Sequence, residues 1–167
     1  MSSTIRIEAA GRAYEIEYAF VGARQDSTAP LIVFLHEGLG SLSMWRDFPS
    51  RLCDALACRG LVYSRPGYGQ STPRSANEKW GVHFMHIQAR EVLPALLQAL
   101  RIDAARTPPF LFGHSDGGSI ALIYAASVPA GVAGVVVAAP HTFVEMLSVE
   151  SIAKTRDAYL TTDLKSK

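Results

Sequence analysis

Net charge is almost absent from this sequence. Sixteen Lys and Arg stand against fifteen Asp and Glu, a formal charge of +1. That leaves no basic field to attract nucleic acid and no acidic tail. Cysteine is equally scarce. Cys53 and Cys58 fall in a segment that reads as helix, where a five-residue spacing points them in different directions and disfavours a bridge. They are expected to be reduced core residues, and no metal site is expected. Met1–Arg12 has no apolar run, so no secretory signal is expected and the cytoplasm is the default location. A long apolar run is also missing. Gly117–Val144 contains no Asp, Glu, Lys or Arg, but Pro129 and Gly131 divide it, which argues against a membrane span. Neither glycine-rich loop completes a dinucleotide fingerprint. After Gly67 and Gly69 the third position is Thr72, and after Gly38 and Gly40 it is Ser43. No nucleotide or other cofactor is expected.

What is present is apolar residue, 49% of the chain, enough for a sizeable core in one domain by length. Thr4–Glu8 and Tyr14–Tyr18 alternate apolar and polar around Gly11-Arg12, which predicts a hairpin of half-buried strands. Leu31–Leu35 is a continuous β-prone run and predicts a central strand. Pro49 suits the first turn of a helix carrying Leu52 and Leu56 and stopping at Gly60, with a short strand at Leu61–Tyr63. Phe84–Ile102 has helical spacing, kinked or restarted at Pro94. Phe110–Phe112 reads as a strand, Ser119–Val128 as a buried helix, Val132–Ala139 as a strand buried on both faces, and Val144–Leu160 as a helix. Strand and helix alternate from residue 31 onward. The fold class is α/β, a mostly parallel sheet opened by an antiparallel hairpin.

In such a sheet, sites form at the carboxyl ends of the strands. Three loops leave those ends: His36–Gly40, Ser64–Ser71 and Gly113–Gly118. The last, Gly-His-Ser-Asp-Gly-Gly, fits G-x-S-x-G and lies between a strand and an apolar helix, the setting of a nucleophile elbow. Gly113 and Gly117 suit the tight turn, and His114 supports it. The turn lifts the Ser115 hydroxyl into a cleft beside a helix N-terminus, where the N–H of Asp116 faces a developing oxyanion. A second N–H must come from the neighbouring loop, and Gly38 is the best donor. His36 reads as a brace for that loop. The bland alternative is an ordinary strand–helix turn with a capping serine.

Leu35–Ser41, Tyr63–Ser71, Phe112–Gly118 and Ala138–His141 together resemble the N-terminal part of an α/β-hydrolase-fold protein. The resemblance covers about residues 5–145 and implies Ser115 as nucleophile, with Gly38 and Asp116 giving oxyanion N–H groups. It implies a small-molecule carbonyl substrate: an ester, thioester, amide or activated C–C bond. It also implies that residues 1–143 form an incomplete core, truncated after about six strands, and that 144–167 begin a helical cap.

In that fold the triad runs Ser, then acid, then His along the chain. The only histidine after Ser115 is His141, directly behind the last strand, and Asp157 and Asp163 lie in the following helix. The expectation is therefore an impaired site whose acid and histidine are absent, with His141 as a weak substitute base. A non-catalytic binding protein built on the same fold is the alternative. An uncovered Val132–Ala139 strand predicts self-association through the sheet edge. Trp45, Trp80 and Phe84 are read as core aromatics rather than an acyl pocket.

Overall fold

The computed structural model describes residues 2–23 and 28–163. Two antiparallel strands, β1 (Ser3–Ala9) and β2 (Arg12–Val21), form the predicted hairpin, with Gly11 at φ +69° in its turn. The remaining strands are β3 (Leu31–Leu35), β4 (Arg59–Tyr63), β5 (Phe110–His114) and β6 (Gly134–Ala138). They assemble into one six-stranded sheet in the order β1-β2-β4-β3-β5-β6. β2 meets β4 antiparallel, and the four later strands run parallel. The helices are α1 (Phe48–Ala55), α2 (Phe84–Ile87), α3 (Leu93–Ala99), α4 (Asp116–Ser127) and α5 (Met146–Thr161).

Alternate residues of the central strands feed two cores. Val33, Leu35, Leu61, Tyr63 and Leu111 pack against Val92, Leu93 and Leu96 and against Ile120 and Tyr124 of α4. Ile32, Phe34 and Val62 face the other way, toward Cys53, Cys58 and Trp45. Complete burial of β3 on both faces follows from its central place.

Three local readings need correction. α1 does not run to Gly60. It ends at Ala55 with Leu56 as its cap, and Ala57 takes the left-handed conformation (φ 49°) that reverses the chain. Gly60 lies inside β4, where a Cβ would crowd Val21, Cys53 and Phe34. Cys58 therefore falls beyond the helix, and its thiol meets that of Cys53. Burial and this neighbour push the Cys53 thiol up to about 12. The 84–99 segment restarts at Pro94 as expected: a wide π turn at Gln88–Val92 lets the proline, which has no N–H, open α3. Finally, β6 is not buried on both faces. Val136 is 53% exposed, because no described element covers that side of the sheet's edge. Among the described residues no helix is long and apolar enough to cross a membrane.

Candidate active site

The parallel strands bring the loops after β3, β4 and β5 to one rim. Ser115 joins β5 to α4 at φ 52°, ψ −118°, a conformation that costs a non-glycine residue about 1–3 kcal/mol. Hydrogen bonds on both sides hold it there. The Ser115 N–H donates to the Ala138 carbonyl at 2.8 Å, and its own carbonyl accepts the Ser119 N–H at 3.1 Å. The glycines around it are required by close approach. A Cβ on Gly117 would overlap the carbonyls of Leu35 and His36, and one on Gly113 would overlap the backbone of Gly117 and Gly118. α4 thus starts hard against the end of β3.

The strain presents Ser115 Oγ to the ring of His141, with Nε2 at 3.0 Å. His141 reaches this place because the Ser119 hydroxyl, one turn along α4, accepts the His141 backbone N–H at 2.9 Å. A histidine therefore stands beside the serine. Among the described residues no carboxylate meets its Nδ1, and the nearest one, Asp116 Oδ1, lies 3.4 Å from Nε2, the nitrogen that faces the serine. A carboxylate there favours the tautomer with its proton on Nε2, which competes with proton acceptance from Ser115.

The loop after β3 turns tightly, with Gly40 N–H donating to the Glu37 carbonyl at 3.1 Å. Two more donors converge on that oxygen: His36 Nδ1 at 2.7 Å and Arg65 Nη2 at 2.8 Å. The peptide is trans, so the Gly38 N–H points opposite to the fixed Glu37 carbonyl. Among the described residues neither this N–H nor that of Asp116, the first residue of α4, has a partner. Gly38 faces Asp116 directly, and a Cβ on it would stand 2.9 Å from Asp116 Oδ2. His114 is half-exposed, with Nδ1 3.7 Å from Glu37 Oε2 across the same gap.

Beneath the loop His36 is wholly buried. Its Nε2 accepts the Arg65 backbone N–H at 3.0 Å, and its Nδ1–H is given to Glu37. Burial, then the Arg65 charge, lower its pKa to about 3, so the ring is neutral.

The sequence pattern of the alpha/beta hydrolase fold matches residues 30–165. The chain belongs to the α/β-hydrolase fold family. Human monoglyceride lipase is 31% identical over 113 residues, which are 68% of this chain and 36% of that protein. A proline iminopeptidase of Lactobacillus crispatus (strain ST1) is 26% identical over 162 residues, 90% of this chain and 52% of its own length. The chain thus spans about a third to a half of the curated relatives it matches. A carboxylesterase structure from Nitrososphaera gargenis superposes with TM-score 0.74 at 22% identity, covering 97% of this chain and 55% of that one. An esterase from Thermogutta terrifontis gives TM-score 0.70 at 20% identity, with coverage of 94% and 53%.

Within this α/β-hydrolase sheet, the loops that carry His36, Gly38, Gly113, His114, Ser115, Asp116, Gly117 and His141 all lie at the one rim. Three contributors were not anticipated. Arg65 is the first. The second is Glu17 on β2, whose buried carboxylate accepts Ser64 Oγ at 2.7 Å and the Gln70 N–H at 3.0 Å, fastening the loop after β4. The third is an apolar groove of about 350 Å³ lined by Met44, Trp45, Phe48, Phe112 and Ala138, with Glu37 and His114 at its polar side. Trp45 both packs on Phe34 and lines this groove. Trp80 and Phe84 stack on each other and line a separate cavity, away from Ser115.

Proposed function

We propose that this chain carries the nucleophile and oxyanion half of a serine hydrolase site acting on an ester or related carbonyl compound. Ser115 Oγ attacks the carbonyl carbon, its proton leaves toward Nε2 of His141, and the tetrahedral oxygen is received by the N–H groups of Gly38 and Asp116. Collapse expels the alcohol or amine, which takes the proton back from Nε2, and water, giving a proton to the same nitrogen, then attacks the acyl group, and that proton returns to Ser115 Oγ as the acid leaves. The observation that carries this reading is the left-handed Ser115, with its hydroxyl 3.0 Å from an imidazole, together with the N–H groups of Gly38 and Asp116, which have no partner among the described residues. The groove beside His114 suits an apolar acyl group. The names of the relatives, a lipase and iminopeptidases, support ester and amide bonds as the substrate class.

Turnover by these residues alone is expected to be low, because nothing described holds Nδ1 of His141. That same gap favours, second, a binding protein with an idle serine. A fluorophosphonate probe separates the two. Covalent labelling at Ser115, seen by mass spectrometry and lost in Ser115→Ala, supports the hydrolase reading. An unlabelled chain that is folded by circular dichroism supports the other.

A further inference from the structure

The side chain of Arg65 is 1% exposed, yet it has no bidentate carboxylate partner. Its Nη2 donates to the Glu37 carbonyl at 2.8 Å, its Nε reaches His36 Nε2 at 3.4 Å, and its Nη1 has no hydrogen-bond partner among the described residues. The guanidinium lies 5.0 Å from the centre of the Tyr68 ring. Among the described residues, the carboxylate paired with it is that of Asp116, with Oδ2 3.8 Å from Nη2. A buried cation held this loosely is costly, and its contacts contribute too little to account for it as a fastening alone.

Its neighbours show what the charge does. Asp116 follows the proposed nucleophile, and its Oδ2 lies against Gly38, whose N–H is offered with that of Asp116 as the oxyanion site. A carboxylate there opposes the negative charge that develops on the substrate oxygen. We infer that Arg65 is a positioning residue for the Ser115 chemistry: its buried charge cancels the Asp116 carboxylate beside the oxyanion site, and its grip on the Glu37 carbonyl turns the Gly38 N–H toward the substrate. This rests on the serine hydrolase reading and extends it to a residue that touches neither substrate nor Ser115. The grip also polarises the Glu37–Gly38 peptide, which strengthens the N–H on its far side.

The test uses the rate of fluorophosphonate labelling of Ser115 in the 167-residue chain. Arg65→Met is expected to slow labelling by about 10- to 100-fold. Adding Asp116→Asn to that variant restores at least half of the loss on a logarithmic scale, because the uncancelled charge is then gone. A purely structural Arg65 predicts no such rescue, and a double variant as slow as Arg65→Met overturns the inference. Should Arg65→Met not fold, Asp116→Asn alone decides the question. With the cation left uncancelled, labelling rises by about threefold or more, whereas an unchanged or slower rate overturns the proposal. Failure of the parent reading is distinct: the unaltered chain then shows no labelling at Ser115 at all, and both proposals fall together.

Discussion

Two of the histidines at the candidate site, His36 and His141, differ in almost every physical respect. His36 is wholly buried, and both ring nitrogens are committed, one to the Arg65 N–H and one to the Glu37 carbonyl. His141 is exposed, and its Nε2 meets the Ser115 hydroxyl while no described group holds its Nδ1. A ring whose nitrogens are occupied in the ground state has no capacity left to take a proton. A ring with one nitrogen on the nucleophile and the other unheld has that capacity without a fixed orientation. Proximity to a serine and service as a general base are therefore separate properties, and the second depends on the nitrogen that does not touch the serine.

The contrast is sharpest in stability. His36→Ala leaves a buried arginine short of an acceptor and the Glu37 carbonyl short of a donor, and is expected to cost about 3–5 kcal/mol. His141→Ala, on the exposed side, should stay within about 0.5 kcal/mol. Denaturant melts of both variants measure this, and equal losses would erase the distinction.

The second break is in pH. The folded chain keeps His36 neutral down to about 3, against 6.5 for a free imidazole. Between those values the unfolded chain binds a proton that the folded chain does not. Stability is therefore intact above about 6.5 and falls as the pH drops toward 3, by up to about 1.4 kcal/mol per pH unit from this group. His36→Gln should flatten the pH dependence of the unfolding midpoint below about 6.5, and a parallel shift of both curves would place its origin elsewhere. The smallest effect is expected in chemistry. His141→Ala should slow Ser115 labelling by no more than about tenfold, well short of the ~100–10,000-fold contribution of an oriented base. A loss beyond that range would show that the ring is held more firmly than its contacts indicate.

Much of this site was legible in the residues themselves. The β-prone run Leu31–Leu35 became a strand with those ends, and the glycine-flanked Ser115 fell between a strand and an apolar helix, where the elbow geometry requires it. Those features are local: a pattern of residue types states the backbone it needs. Arg65 and Glu17 were not legible in the same way. Their partners lie 29 and 47 residues away in the chain, and burial of a charge becomes visible only when the strands are side by side. Gly60 was misread for a related reason. A glycine after a helical segment looks like a terminator, but here the missing Cβ makes room for Phe34 and Cys53, while Ala57 reverses the chain. The approach of His141 to Ser115 depended on the Ser119 hydroxyl, a contact across 22 residues that no motif encodes.

Helix α5 has one further consequence. None of the sixteen residues in Met146–Thr161 is buried, and Leu147, Ile152 and Leu160 are largely open to water. An isolated helix of that length is marginal in water, since packing rather than intrinsic propensity supplies most helical stability. Unless something covers it, this segment samples the coil far more often than the sheet does, and a protease should find its cleavage points there while the Ser115 elbow is still intact.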